Sequence, residues 1–401
     1  MMTGEGNHYG FQLPDELILL RDQIRRFMRE QVKPIEDLLE YDATGCSLED
    51  RTRLRGLAEE MGLTRLTVPE EYGGNAVDAL TRVVIAEESS KCRLGGYNPA
   101  LGAFGGGPPN ILWAGTPEQI EKYAIPCVDG NKRAFVAITE PTGGSDPRNN
   151  ISTRAVKDGD TWKLTGRKMW ITAAKGADFG VIFARTKDGT ENAPPEITAF
   201  IVEPTFPGIE FNEIKVIRAL SPYEIVLDNC EVPAENVLGA VGRGFGVAQS
   251  WLVDARIPYA AGCIGIAQEA LDMACGWVKQ RPTRDGMLAD KQAIQWMIAD
   301  SEVELRAARM LVYDAATKVD AGLPGKVDAS ICKLYGTETA GRVVDRAIQM
   351  FGGMGVAKEM PLERWYRELR VKRIGEGPSE VHRMVIARDK LRTTDGGMYF
   401  G

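Results

Sequence analysis

Apolar positions in the first 130 residues recur at helical spacing. Leu17, Leu20, Ile24, Phe27 and Met28 follow an i, i+3, i+7 rhythm behind Pro14-Asp15-Glu16, which predicts a helix. A second helix is predicted over about 48–61, ending at Met61-Gly62, and a third over about 77–91. The turn-rich stretch Val68-Pro69-Glu70-Glu71-Tyr72-Gly73-Gly74 separates them. Leu101 to Pro109 is rich in glycine and reads either as a flexible loop or as room for a ligand. Thr116-Pro117-Glu118-Gln119 has the form of a capped helix start, continuing to about 123.

Near residue 132 the period changes. Phe135–Ile138, Trp162–Thr165, Val181–Ala184, Ile197–Val202 and Ile225–Leu227 are short β-branched or aromatic runs. Turn signals such as Asp158-Gly159 and Pro207-Gly208 separate them. From about 244 the helical period returns over about 244–280, 288–321 and 327–350, then over 361–370 and 378–392. This order predicts an α+β fold. An N-terminal helical domain (1–131) precedes a middle antiparallel β-barrel or sandwich (132–243), and a C-terminal four-helix bundle (244–401) follows.

Composition narrows the function classes. The 401 residues carry a net charge of −7 with no polybasic run, which argues against nucleic acid or an anionic membrane as partner. Neither a signal peptide nor a transmembrane run is visible. The seven cysteines are scattered and never spaced C-x-x-C, as expected of reduced thiols in a cytoplasmic protein. His8 and His382 are the two histidines, so His-based metal sites and Ser–His–Asp triads lack raw material and no metal is expected. His8 falls in a polar, Gly-rich start, and His382 is expected at the surface or behind a site.

A Rossmann unit is rejected. Gly242-Arg243-Gly244-Phe245-Gly246 lacks the third glycine of the fingerprint, and Gly352-Gly353-Met354-Gly355 follows a helix. No Walker A sequence occurs. Two other clusters offer chemistry. Phe135 to Asp146 runs from a strand into a turn of hydroxyls and glycines, suited to a polar ring or a phosphate. Gly166 to Ala173 places Trp170 two residues from Thr172 on one strand side. Separately, a plain turn and a core tryptophan are the commoner explanations. Finally, Gly375-Glu376-Gly377-Pro378 sets a bare carboxylate before a helix start, which reads either as a catalyst or as an acidic residue favouring a helix N-terminus.

Taken together and in order, Thr139-Glu140-Pro141 with Gly144-Ser145-Asp146, Trp170-Ile171-Thr172, Gln349 to Gly355 and Glu376-Gly377 resemble the acyl-CoA dehydrogenases. The resemblance covers about 12–393. It implies a non-covalent FAD between the β domain and the bundle. Val136, Ile138, Thr139, Gly144 and Ser145 would bind the ring and pyrophosphate. Trp170 and Ile171 would flank the ring and Thr172 would reach toward N5. From a neighbouring subunit, Arg281, Gln292, Gln349, Gly352 and Gly353 would complete the site, which implies a homo-oligomer, a tetramer or a dimer. Glu376 would take the α-proton of an acyl-CoA while the β-hydride passes to the flavin, and electron-transferring flavoprotein would be the acceptor. Arg256 matches an arginine near base and substrate, and Ser145, Gly375, Gly377 and Arg388 match positions near the substrate.

The chain also departs from the family pattern. Gly375 stands where an aromatic is usual, which, with Gly105 to Gly107, suggests a bulky, branched or cyclic acyl group. Pro378 replaces a hydroxyl residue whose flavin-side contact Ser379 would take over, and the resemblance sets Pro378, Ser379 and Glu380 on the cofactor side. Arg284-Asp285 replaces Phe-Gly after Arg281, which puts the cross-subunit flavin contact in question, and Ala173 replaces a common Asn. An acyl-CoA oxidase, an enoyl-CoA reductase or a flavin monooxygenase on the same scaffold are the alternatives; the last lacks the carboxylate base. A non-enzymatic helical scaffold is a further one.

Overall fold

The computed structural model describes residues 12–95, 99–104 and 110–394. Gly105 to Gly107 and His8 lie outside the described residues. The first helix, α1 (Asp15–Phe27), passes through a π-turn at Met28–Val32 into α2 (Lys33–Glu36). Leu17, Ile24, Phe27, Val32 and Ile35 are buried along this run. Ser47 starts α3 (Leu48–Glu60) by accepting the Asp50 N–H at 3.0 Å. Asp78 does the same for Thr81 at α4 (Ala79–Ser89), at 2.7 Å. The carboxylate of Asp320, far along the chain, takes the Ala79 and Leu80 N–H groups at 2.6 and 3.1 Å. The expected capping box at Thr116 and Gln119 opens α5 (Pro117–Gln119), which continues through a π-turn into α6 (Ile125–Val128), past the expected end.

The middle region holds β1 (Ala134–Ala137), α7 (Pro147–Asn150), β2 (Arg154–Asp158), β3 (Thr161–Thr172), β4 (Phe179–Lys187), β5 (Glu196–Val202), β6 (Ile209–Glu213), β7 (Pro222–Pro233) and β8 (Val237–Leu238). They form one sheet in the order β6-β7-β3-β2-β4-β5-β8, with β1 beside β4. Most pairings are antiparallel, but β1 and β2 each pair β4 in parallel, so the sheet is mixed rather than wholly antiparallel. The pattern missed β2 and β6 because one buries a single residue and the other none, and it missed β8 because that strand is two residues long. Along β4, Ile182 and Ala184 face a core with Phe135, Trp162, Phe200 and Ile225. Phe179, Val181 and Phe183 face another with Ile111, Ile120 and Tyr123 from the helical segment. Both faces of β4 are therefore covered, which explains its unbroken apolar run.

Beyond the sheet lie α8 (Gly244–Gln280), a small hairpin of β9 (Pro282–Thr283) and β10 (Gly286–Met287), α9 (Gln292–Asp320), α10 (Lys326–Phe351), α11 (Leu362–Lys372) and α12 (Ser379–Thr393). At 37 residues α8 spans about 55 Å. Alanines at 260, 261, 267, 308, 316, 340 and 347 line the bundle core with Ile264, Leu305, Val312 and Val343. Small side chains there let the long helices approach closely. Ala79, Leu80, Val83 and Val84 of α4 belong to that same core, so the N-terminal helices and the bundle are packed as one body. Among the described residues no helix is long and apolar enough to cross a membrane.

Candidate active site

Six residues link α11 to α12, and Glu376 sits among them in the left-handed region (φ +57°), with Gly377 at φ +92°. A left-handed non-glycine residue costs about 1–2 kcal/mol, so other contacts must hold it. They come from three helices. Arg256 Nε, on α8, donates to the main-chain oxygen of Glu376 at 3.2 Å. His382 Nε2, on α12, lies 3.2 Å from that same oxygen. A carbonyl only accepts, so this contact assigns the proton to Nε2. Lys333 Nζ, on α10, donates to Arg373 O at 3.3 Å and to Gly377 O. Ser379 Oγ donates to Glu338 Oε1 at 2.7 Å, and Arg373 pairs with the other oxygen of Glu338 at 2.5 Å. A Cβ at Gly377 would stand 3.1 Å from His382 Nε2, so this glycine is required twice, by dihedral and by space.

The electrostatics of the turn are unusual for a surface helix start. Glu376 is half-buried overall, but its Oε2 is sealed from solvent and has no hydrogen-bond partner among the described residues. Burial raises the Glu376 carboxyl above the ordinary range, against the pull of Arg256, Lys372 and Lys333. Burial lowers both lysines to about 8. Lys372 Nζ stands 4.2 Å from the ring centroid of Tyr259. His382 is 1% exposed, which leaves the second of its two expected places, behind the site. Burial, with the charges of Arg256 and Lys333, lowers it to about 4, which leaves the ring neutral at pH 7.

The two clusters of the sheet are joined directly. Met169 N donates to Thr139 O at 2.9 Å. Lys168 Nζ reaches Ile138 O at 3.1 Å and Glu140 Oε1 at 2.7 Å, with both side chains fully buried. Glu140 Oε2 also accepts from Ser152 N at 2.6 Å and Ser152 Oγ at 2.5 Å. Burial pushes Glu140 up, but the Lys168 ammonium and these hydrogen bonds outweigh it, and its carboxyl is net lowered. Val136, Ile138 and Thr139 are half-buried where β1 ends, and Gly144 packs against Thr139 while Ser145 is exposed. A register shift between Lys168 and Ile171 puts Trp170 at φ +65° and leaves it 53% exposed, with Ile171 buried and Thr172 half-buried. Trp170 is thus no core tryptophan.

Arg281, Gln292, Gln349, Gly352 and Gly353 are all exposed at the ends of α8, α9 and α10. The Arg281 guanidinium lies 5.7 Å from the Trp277 ring centroid, and Trp277 stacks on Phe351 at 5.0 Å, which groups Arg281 with the loop after Gln349. Arg284 is exposed, and Asp285 pairs with Lys291 at 2.6 Å. Glu380 and Arg388 are exposed, and Gly375 is half-buried. Ser379, expected on the flavin side, is 2% exposed and its hydroxyl is engaged by Glu338, because α12 starts at Ser379 with the extended Pro378 (ψ 157°) as its cap residue. Sequence reasoning missed Lys168, Lys333, Lys372 and Glu338. Lys168 does leave a signal, a cation at an inward position of β3. The other three sit on helices where a lysine or glutamate looks like an ordinary solvated residue.

An orphaned buried carboxylate oxygen and an exposed indole held at positive φ fit an enzyme that uses a carboxylate base and a flat redox group. Comparison with known proteins agrees with this class. Three family models match: the acyl-CoA dehydrogenase N-terminal domain over 14–131, the middle domain over 135–230 and the C-terminal domain over 242–391. The chain belongs to the acyl-CoA dehydrogenase family of FAD-dependent flavoproteins. It is 36% identical to a short-chain specific acyl-CoA dehydrogenase of Clostridium acetobutylicum, over 94% of this chain and 98% of that one. A subunit of the caffeyl-CoA reductase–Etf complex of Acetobacterium woodii is 39% identical over 82% of this chain and 86% of its own. The solved butyryl-CoA dehydrogenase of Megasphaera elsdenii superposes with a TM-score of 0.82 at 32% identity, covering 96% of this chain and all of that one (100%).

Proposed function

We propose that this chain oxidises an acyl-CoA thioester to the trans-2-enoyl-CoA, with Glu376 as the base. The observation that carries this reading is the Glu376 carboxylate, sealed at Oε2, without a partner there, and raised above the ordinary range by burial. A thioester α-hydrogen is a weak acid, so its base must be poised near the working pH and the developing enolate must be stabilised. Glu376 takes the α-proton, and the main-chain N–H of Glu376 faces the thioester oxygen. FAD supplies the acceptor for the β-hydride, and the electron pair leaves to electron-transferring flavoprotein. Val136, Ile138, Thr139, Gly144, Ser145, Trp170, Ile171 and Thr172 hold the cofactor from one subunit. Arg281, Gln292, Gln349, Gly352 and Gly353 hold it from a neighbour in a homo-oligomer. The shared exposure of all five, with Arg281 and the loop after Gln349 joined by the Trp277–Phe351 stack, supports that placement. Arg256 steadies the base turn. Gly375, whose backbone opens the pocket wall, favours a bulky, branched or cyclic acyl group. The three units divide at 131/132 and 243/244. Seven unpaired cysteines suit a reducing cytoplasm, and acyl-CoA catabolism is the setting.

The reverse reaction is a second reading, supported by the reductase named among the relatives. Glu376 then returns the proton to the α-carbon, by microscopic reversibility. The test of the main reading is anaerobic bleaching of the flavin by a panel of acyl-CoA thioesters, for the wild type and Glu376→Gln. Retained FAD with bleaching lost is the expected result for the variant. Full bleaching would remove Glu376 from the base role.

A further inference from the structure

The Glu376 turn is tied to the bundle on both sides by one ammonium. Lys333 Nζ donates to Arg373 O, three residues before Glu376, and to Gly377 O, one residue after it. Lys333 has no solvent exposure (0%) and projects from α10, a 26-residue helix whose neighbouring residues Ala329, Ser330, Gly336 and Thr337 are all buried. Its mount is therefore rigid. The charged and titratable groups around the turn are Arg256 and Cys263 on α8, Glu338 on α10, Lys372 on α11 and His382 on α12. Arg256 and His382 meet the main-chain oxygen of Glu376 itself, and Glu338 holds Arg373 and Ser379 by their side chains.

Burying an ammonium here is expensive if the task is only to fill space. An apolar side chain of similar length would pack the same volume without the desolvation penalty. A buried charge that also bonds the main chain on both sides of a reactive carboxylate is an arrangement suited to function. We propose that Lys333 is a positioning residue for α-proton abstraction: its two hydrogen bonds fix the left-handed turn, and they hold its charge against the main chain on both sides of Glu376. This inference rests on Glu376 being the base.

The test uses the full-length, FAD-loaded protein with Lys333→Met and Lys333→Gln. Three quantities are read: FAD content, the pH profile of kcat/KM, and exchange of the substrate α-proton into D2O. The exchange is followed with an acyl-CoA carrying sulfur in place of the β-methylene, so that no hydride can leave. Lys333→Met is expected to slow exchange by about 10- to 100-fold, since small displacements of a catalytic group have effects of this order. Its acidic limb is expected to move to higher pH, because removing a nearby positive charge makes the carboxylate harder to ionise. Lys333→Gln keeps a donor for the turn and is expected to recover part of the rate with the limb still displaced. If Lys333→Met does not load FAD, Lys333→Gln carries the test alone through the limb. An unmoved limb in Lys333→Gln overturns the proposal, as does wild-type exchange in both variants. Glu376→Gln is measured alongside. Persistent exchange there overturns the base reading itself, whereas an inert Glu376→Gln beside unaltered Lys333 variants overturns only the role of Lys333.

Discussion

Arg256 meets Glu376 at its main-chain oxygen: Nε of Arg256 donates to that oxygen at 3.2 Å, while Oε2 of the Glu376 carboxylate is buried without a hydrogen-bond partner among the described residues. The guanidinium thus steadies the turn and lends its field, but leaves Oε2 open to receive a proton. A direct ion pair would hold the carboxylate low and make it a poor base.

Glu376→Gln should lower α-proton abstraction by about 100- to 10,000-fold, the usual span for losing a general base. Flavin content, read from the visible spectrum, should be unchanged. Any large residual bleaching would point to another base.

The pH dependence follows from the raised Glu376 carboxyl. Activity should fall as pH drops through a value above the ordinary glutamate range, since the protonated acid cannot accept. The linkage to stability has the opposite slope. A carboxyl that is raised on folding binds more protons folded than unfolded, so its ionisation removes stability as pH rises through that window. Glu376→Gln should therefore gain in thermal midpoint over the wild type toward neutral pH, with the gain shrinking in acid. Melting curves at several pH values read this directly.

Lys168→Met should cost about 3–5 kcal/mol, because it strands the buried Glu140 carboxylate. Urea denaturation measures the loss, and adding Glu140→Gln should recover part of it. FAD affinity should fall too, since Lys168 also holds Ile138 O at the end of β1. Unchanged stability and FAD affinity would separate this ion pair from the flavin-side turn.

Gly377→Ala should lose about 1–2 kcal/mol from its φ of +92° alone, and more activity than that figure suggests. The new methyl would press on His382 Nε2 at 3.1 Å and shift the carbonyl clamp on Glu376. The comparison to make is kcat against thermal midpoint.

Gly375→Tyr should lower kcat/KM for branched or cyclic acyl-CoA by about tenfold or more relative to short straight chains, by narrowing the acyl pocket. Wild-type activity confined to short straight chains would contradict the reading of Gly375.

The helical–sheet–helical order was legible because amphipathic periods are local. The run from 244 to 280, for example, is a single helix in the structure, as its pattern predicts. The motifs at Thr139, Trp170 and Glu376 were legible as short strings. What linked them was not. The Met169–Thr139 bond, the Lys168–Glu140 pair and the Lys333 clamp join residues 28 or more positions apart, and a lysine looks the same on a solvated face as in a core.

By itself, then, the sequence determined the family and most of the elements and singled out Glu376 as the candidate carboxylate, because these follow from local spacing and from ordered motifs. Only the tertiary structure decided that His382 is buried and neutral, that Ser379 serves Glu338, and that Glu376 stands in a left-handed turn held by side chains from α8, α10 and α12. The physical reason is that burial and hydrogen bonding are properties of what surrounds a group in space. For the Glu376 turn, those surroundings come from helices up to 120 residues away along the chain.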